Sequence, residues 1–322
     1  MSAPASLNVR VARKTVEAEG ICSFELVAAD GRPLPAFSAG SHVDVQLPGG
    51  LTRQYSLCND PAESHRYLIA VLDDPASRGG SRAMHAQVHE GDALVISPPK
   101  NHFALAHEAR RHLLLAGGIG VTPILCMAER LAIAGAAFEM HYCTRSPART
   151  AFRQRIAASR FADRVRFHFD DGDAAQKLDI PALLARPEPG VHLYVCGPKG
   201  FMDAVLGSAR AQGWPERQLH YEFFSAEVVK SDADAAFEVQ LASSGRVIVV
   251  PADQTCAQAL AAAGIELATS CEQGICGTCL TRVLEGQPDH RDMYLTPEEQ
   301  AAGDQFTPCC SRAKSARLVL DL

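Results

Sequence analysis

The 322-residue sequence has no apolar run long enough to cross a bilayer as a helix. Its most apolar stretch, LLLAGGIGVTPILCMA, is broken by glycines and a proline, and the opening MSAPASLNVRVARKTVEAEG lacks the apolar core of a signal peptide. A cytoplasmic protein is therefore expected. Positive charge is not in excess either: 31 Lys and Arg stand against 37 Asp and Glu, a net charge of -6, which argues against nucleic acid as a partner. Internal repeats are lacking. Cysteine is not: there are eleven, and in a reducing cytosol they are not expected to form disulfides. A hydrophobic content of 47% and a charged content of 21% are those of a globular protein, at a length sufficient for two or three domains.

The chain changes rhythm twice. Residues 1–107 read as short strands (HVDVQL, RQYSL, RYLIAVL, ALVIS) separated by Gly- and Pro-rich turns, with one short helix over RAMHAQV. This pattern predicts an antiparallel barrel or sandwich. From 108 to 226, strands alternate with helices: RHLLLAG, then a helix from Pro123 to Gly135, FEMHYC, the helix TAFRQRIAASR, RVRFHFD, IPALLAR, HLYVCG, KGFMDAVLGSARAQG and LHYEFF. That alternation predicts a parallel sheet covered on both faces. Residues 227–236 read as a linker. Residues 237–322 read as a small sheet crossed by the helix TCAQALAAAG.

Three of the cysteines crowd into SCEQGICGTC. Cys271, Cys276 and Cys279, followed after 29 intervening residues by the pair Cys309-Cys310, make the C-x4-C-x2-C…C spacing of a plant-type [2Fe-2S] cluster. Each iron of such a cluster takes two thiolates, and Gly274 and Gly277 let the loop backbone approach the sulfides. Zinc is the alternative, but structural zinc sites pair two short knuckles and no second knuckle is present. If Cys309 and Cys310 lie in extended backbone before the last strand, their side chains point to opposite faces, so one faces the cluster and the other packs away.

The strict G-x-G-x-x-G fingerprint is absent. In its place GGIGVTP, Gly117 to Pro123, joins a strand directly to a helix, where phosphates can approach backbone N–H groups. Thr144-Arg145-Ser146, Asp170-Asp171-Gly172 and Cys196-Gly197-Pro198 end later strands on the same side and predict a nucleotide crevice. Upstream, Arg53-Gln54-Tyr55-Ser56 closes one strand, and Arg78-Gly79-Gly80-Ser81 opens the short helix as a phosphate cradle. Tyr55 could lie along a flat ring while Ser56 bonds to it.

Taken together, RQYSLCND, RGGS, GGIGVTP, CGP and CEQGICGTC…CCSRA resemble the phthalate dioxygenase reductase family, the flavin- and ferredoxin-containing reductases of Rieske oxygenase systems. PDHRDMYL…FTPCCSRAKSARLVLDL is similar to the vanillate demethylase and phenoxybenzoate dioxygenase reductases. The resemblance implies an N-terminal FMN-binding antiparallel β-barrel, a central NADH-binding α/β domain and a C-terminal β-grasp ferredoxin domain. It implies that Arg53, Gln54, Tyr55 and Ser56 contact FMN, that Arg78, Gly79, Gly80 and Ser81 surround its phosphate, and that Ala70, Val71 and Leu72 offer backbone groups to its ring. Gly118, Thr122, Thr144, Arg145, Asp170, Cys196, Gly197 and Pro198 would line the NADH site, and Phe224 would shield the flavin. The family's C-x-S-R-A pattern makes Cys309 the fourth cluster ligand.

The parts suit one task. NADH surrenders two electrons together, a [2Fe-2S] cluster accepts one at a time, and a flavin exchanges them either way. The expected order is NADH, FMN, cluster and then an external Rieske-type oxygenase, with the reductase a monomer. Hydride transfer needs no general acid or base, so no catalytic dyad is nominated. Three rivals stand beside this reading. One is a reductase for another acceptor, such as a soluble ferredoxin or a carnitine-type oxygenase. The others are a zinc-binding adaptor that senses nucleotide, and an electron carrier that does not oxidise NADH.

Overall fold

A computed structural model describes residues 6–224, 231 and 234–322. The chain divides into two compact units, Met1–Phe224 and Ser225–Leu322. Most of the expected linker, 227–236, lies outside the described residues.

The first unit begins with strands β1 (Leu7–Ala18), β2 (Ile21–Ala28), β3 (Ser41–Gln46), β4 (Thr52–Ser56) and β5 (Tyr67–Leu72). Helix α1 (Gly80–Gln87) and strands β6 (Ala93–Ile96) and β7 (Lys100–Asn101) follow. The sheet runs β4-β3-β6-β1-β2-β5, antiparallel throughout, with β7 added beside β3. Its two end strands meet at one bridge, Leu57 to Ile69, which rolls the sheet into a barrel filled by Val9, Val11, Phe24, Leu26, Val43, Val45, Tyr67 and Ile69. The β1–β2 hairpin turns at Glu19-Gly20, with Gly20 at φ 72°. It is the longest pairing in the barrel and was missed in the sequence, because KTVEAEG interrupts the apolar alternation with charge.

Strands β8 (Arg111–Gly117), β9 (Ala137–Thr144), β10 (Val165–Phe169), β11 (Val191–Cys196) and β12 (Leu219–Glu222) form a parallel sheet ordered β10-β9-β8-β11-β12. Helices α2 (Val121–Ile133), α3 (Arg153–Ala157), α4 (Ile180–Leu184) and α5 (Lys199–Ala211) cover it. Helix α5 buries Met202, Val205, Leu206 and Ala209, one stripe at helical spacing, against Leu113, Leu115, Leu193 and Val195. Helix α2 is buried almost all round, from Val121 to Ala128, because it packs in one core with barrel residues Ile21, Ala39, Cys58, Leu68, Ala70 and Phe103. The barrel and the parallel sheet are thus fused through a shared apolar core, which fixes the crevice between them. The helix expected over TAFRQRIAASR shrinks to α3, since Phe152 takes a left-handed φ of 61° that no α-helix continues through.

The second unit has strands β13 (Phe237–Leu241), β14 (Val247–Val250), β15 (Thr281–Glu285), β16 (Pro288–Asp289), β17 (Gln305–Phe306), β18 (Arg312–Ala313) and β19 (Arg317–Leu320). The main sheet is ordered β14-β13-β19-β15-β17, with β16 paired to β18 apart from it. Helix α6 (Cys256–Ala262) starts in a capping box of Thr255 and Gln258, and packs Cys256, Ala259 and Leu260 on Val239, Val250, Val283 and Leu318. A second capping box, Thr296 with Glu299, and Pro297 in the first turn start the short α7 (Pro297–Ala302), which the sequence reading passed over.

Candidate functional site

In the first unit, the strand order reverses between β8 and β11, and it is there that GGIG and CGP end their strands. Such a switch point leaves a crevice at the carboxyl ends of the strands. The two loops touch. A Cβ at Gly120 would run into the Cys196 carbonyl and lie 2.6 Å from the Gly197 nitrogen, and one at Gly197 would lie 2.9 Å from the Gly117 Cα. Only glycine permits this approach. Gly118 stands at φ 51° with open space where a side chain would be, and Thr122 is buried with its hydroxyl donating to the Ile119 carbonyl at 3.1 Å. Farther along, the Asp170 and Asp171 N–H groups donate to the Thr144 and Arg145 carbonyls at 3.0 and 3.1 Å, so the ends of β9 and β10 are held together. Thr144 itself is buried and bonded to Thr150, whereas Arg145 and Asp170 are exposed.

The barrel brings its own candidates to the same side. Beyond the Leu57–Ile69 bridge, β4 and β5 form no further pairs among the described residues, so Arg53–Ser56 faces Ala70–Leu72 across an open seam. Backbone groups on that edge of β5 are unclaimed by the sheet, which is what a flat heterocycle between the strands requires. Arg53 crosses the start of α1: its Nη2 donates to the Arg78 carbonyl at 3.2 Å, and a Cβ at Gly80 would lie 2.6 Å from the Arg53 Cγ. Gly79, at φ 91°, turns the chain into the helix. Two of these side chains also have partners within the protein. Gln54 donates to the Asp44 carboxylate at 2.9 Å, and the Ser81 hydroxyl accepts from the Asp74 N–H at 3.2 Å. The helix itself is fixed at its far end by Lys14, whose Nζ donates to the carbonyls of His85 and Val88 at 2.7 and 2.8 Å. The His85 Nε2 in turn lies 2.9 Å from the Val71 carbonyl, which ties α1 to β5.

One group in the crevice escaped the sequence reading. Glu222 ends β12 in register with Cys196, and the Ser56 hydroxyl donates to its Oε2 at 3.3 Å. The His42 Nδ1 lies 4.0 Å from its Oε1. Burial pushes the Glu222 carboxyl up to about 7, against the opposing pull of the Ser56 hydrogen bond. It therefore keeps its proton in mild acid, where an ordinary glutamate is ionised. Nothing local in LHYEFF marks this carboxyl as buried. Of the two following aromatics, Phe223 packs into the core behind the sheet while Phe224 is exposed.

In the second unit, Cys271, Cys276, Cys279 and Cys309 are all buried. Their thiols meet in pairs: Cys271 reaches both Cys276 and Cys309, and Cys279 reaches Cys309. Backbone N–H groups of Gln273 and Thr278 point at the sulfurs of Cys271 and Cys276, at 3.4 and 3.5 Å. Hydrogen bonds from Cys276 and Cys309, and then from backbone N–H groups, hold the Cys271 thiol far below its ordinary range. The donor set is thus four soft sulfurs with inward N–H groups, which fits an iron–sulfur cluster. Among the described residues no three His, Cys, Asp or Glu side chains are placed to hold a single metal ion.

Cys309 and Cys310 do not lie in extended backbone. They occupy a turn, in which the Cys310 and Ser311 N–H groups both donate to the Thr307 carbonyl, at 3.2 and 3.0 Å. The turn rather than strand alternation sets the two thiols: Cys309 reaches Cys271 and Cys279 as well as Cys310, and Cys310 lies 3.2 Å from the Thr307 hydroxyl. Cys310 also fills the space beside Gly274, where a Cβ would collide with its sulfur.

Comparison with known proteins agrees with this anatomy. Residues 239–314 match the 2Fe-2S iron-sulfur cluster binding domain, and 94–219 match the N-terminal domain of dimethylamine monooxygenase subunit DmmA-like proteins. The chain is 60% identical to a vanillate O-demethylase oxidoreductase of Pseudomonas putida, over 97% of this chain and 98% of that one. It is 40% identical to the phthalate dioxygenase reductase of Burkholderia cepacia, over 98% and 97%. The chain belongs to the phthalate dioxygenase reductase family. It is an oxidoreductase of that family, with a ferredoxin-type domain at its C-terminal end. A solved phthalate dioxygenase reductase, described as a modular structure for electron transfer from pyridine nucleotides to [2Fe-2S], superposes with a TM-score of 0.77 at 40% identity, over 99% of this chain and 98% of that one. An intact type IV self-sufficient cytochrome P450 monooxygenase matches 98% of this chain with 41% of its own, at a TM-score of 0.86 and 42% identity. No helix among the described residues is long and apolar enough to cross a membrane.

Proposed function

We propose that this chain is the NADH-dependent reductase of a two-component Rieske oxygenase or O-demethylase. The carrying observation is that one chain holds both a switch-point crevice opening on the barrel seam and a loop of four converging thiols. The functional division follows: residues 1–107 bind FMN, 108–226 bind NADH, 227–236 link, and 237–322 carry the cluster. When bound, the flavin supplies the exchange between paired and single electrons, and the cluster supplies a one-electron exit.

The chain's own residues do the positioning. Arg53, Arg78 and the first N–H groups of α1 receive the FMN phosphate, while Tyr55, Ser56 and the β5 edge at Ala70 to Leu72 hold the ring. FMN rather than FAD suits this short cradle. Gly118, Thr122, Thr144, Arg145 and the Cys196-Gly197-Pro198 turn receive NADH, and Asp170 faces its ribose. Phe224, exposed beyond β12, would shield the flavin face. Glu222, protonated below about pH 7, keeps charge out of the crevice and offers a hydrogen bond beside Ser56. Cys271, Cys276, Cys279 and Cys309 ligate the cluster. The 60% identity to a vanillate O-demethylase oxidoreductase supports an aryl ether or aromatic acid as the partner oxygenase's substrate class. The chain works as a cytoplasmic monomer.

Anaerobic addition of NADH to the purified protein tests the core of this proposal. Flavin and [2Fe-2S] absorbance should both bleach, and electrons should pass to an added vanillate-type oxygenase component. A chain that binds nucleotide without bleaching would refute it.

A further inference from the structure

The tip of the β1–β2 hairpin reaches both edges of the crevice. The hairpin closes on the two-residue turn Glu19-Gly20, between the paired Ala18 and Ile21. On one side the Gly20 carbonyl accepts from the Asp73 N–H at 2.7 Å, directly after Leu72 ends β5. On the other side the Glu19 N–H donates to the Ala148 carbonyl at 3.0 Å. Ala148 lies in the 3-10 turn Pro147–Arg149, which follows Thr144-Arg145-Ser146 at the end of β9. The tip thus joins the strand edge assigned above to the flavin ring with the loop assigned to the nucleotide.

The parts it joins are stiff. The Ser146 carbonyl accepts from the Arg149 N–H at 3.1 Å and from the hydroxyls of Thr150 and Thr144 at 2.8 and 3.2 Å. The Arg145 carbonyl accepts from the Asp171 N–H at 3.1 Å, which carries the connection on to the end of β10. At the base of the turn, Ala18 and Ile21 pack in the core shared by barrel and parallel sheet. Asp73 and Ala148 are both exposed, so core packing does not fix them and the backbone bonds to the tip do. The outer ion pair of Glu19 with Arg149, 3.5 Å apart with both side chains more than half exposed, contributes little.

We propose that this hairpin tip is a spacer: it sets how far the nucleotide loop at Arg145 stands from the flavin edge at Leu72, and so aligns the nicotinamide with the ring. Glu19 acts through its backbone N–H, as a positioning residue. Hydride transfer needs the reacting atoms close and aligned, and a displacement of about 1 Å can cost on the order of a hundredfold in rate. The nucleotide loop and the crevice both belong to the parallel sheet, so releasing the tip leaves the nucleotide its contacts there. What is lost is their alignment with the barrel.

The turn itself supplies the test. Glu19 keeps a negative φ and Gly20 takes 72°, a pattern in which proline is favoured at the first turn position. Glu19→Pro therefore deletes the N–H donor while suiting the turn. The inference rests on the flavin and nucleotide assignments above, and the experiment separates the two. Flavin bleaching in the holoprotein is followed by anaerobic stopped flow over a range of NADH concentrations. Glu19→Pro should lower the rate at saturating NADH roughly tenfold or more, well beyond any rise in the half-saturating concentration. Glu19→Ala, which keeps the N–H, should bleach at the native rate. An unchanged saturating rate in Glu19→Pro overturns the spacer, and so does a rise in half-saturation that matches or exceeds the loss of rate. An equal loss in Glu19→Ala overturns it too, because the side-chain ion pair would then carry the effect. Should Glu19→Pro not fold, hydrogen exchange at the Glu19 and Asp73 amides of the native protein decides. By linkage both should slow when NAD+ is bound, and equal exchange with and without NAD+ overturns the inference. Native flavin that NADH does not bleach overturns the NADH reading and the inference together.

Discussion

Glu222→Gln isolates what the buried carboxyl does to the barrel–sheet unit. In the unfolded chain a glutamate loses its proton near 4.5, and in the fold Glu222 is pushed up to about 7 by burial. Between those values the folded state binds more protons than the unfolded one, so stability is full below about pH 4.5 and is lost as pH rises through 7. Each pKa unit corresponds to 1.36 kcal/mol, so the loss amounts to about 3 kcal/mol at most, the side chain being 17% exposed. Gln keeps the shape and an acceptor for Ser56 but cannot ionise. It should therefore match the native chain in mild acid and exceed it by up to about 3 kcal/mol at alkaline pH. For a unit of this size that is roughly 6–12 °C in Tm. Thermal unfolding followed by circular dichroism from about pH 5 to 8 reads the difference directly. A Tm gap between Glu222→Gln and the native chain that stays constant across this range would refute the reasoning.

Three further expectations follow from the proposed sites. Arg53→Ala and Arg78→Ala should each weaken FMN retention by about 1.5–3 kcal/mol with the iron–sulfur spectrum unchanged; normal flavin content in both, or FAD in the native protein, would place the phosphate elsewhere. Asp170, exposed at the end of β10, should favour NADH over NADPH by roughly tenfold or more in kcat/KM, about 1.4 kcal/mol, and equal use of both would rule this out. Cys309→Ser should lose the cluster or leave it labile while Cys310→Ser retains it, read by visible absorbance; the reverse pattern would exchange their roles.

How much of this was legible in the sequence depends on the range of the interactions involved. The thiol loop and the glycine turn were readable because their chemistry is local: three cysteines and two glycines within ten residues, or a glycine run between a strand and a helix. The parallel sheet was readable because alternation of strand and helix dictates it. The β1–β2 hairpin was not, because charge in KTVEAEG hides its alternation, and neither were the partners of Gln54 and Ser81, which lie about seven or more residues away.

Glu222 and Cys309 show the same limit at the site itself. A glutamate at the end of LHYEFF carries no sign of burial; its burial comes from Ser56, 166 residues earlier, once the shared core presses the barrel on the sheet. For Cys309 and Cys310 the separation of the two thiols was expected from strand alternation, and the structure shows a turn closed on the Thr307 carbonyl. Alternation would have left the choice of inward face to the register of a strand, which a one-residue slip inverts. A turn anchored at Thr307, with the Ala257 N–H donating to the Pro308 carbonyl at 2.9 Å, leaves no such freedom. The two adjacent cysteines are therefore distinguished by the backbone bonds that fix the turn: Cys309 reaches Cys271 and Cys279, whereas the Cys310 sulfur, which touches Cys309, is engaged on its other side by Thr307 and Ser311.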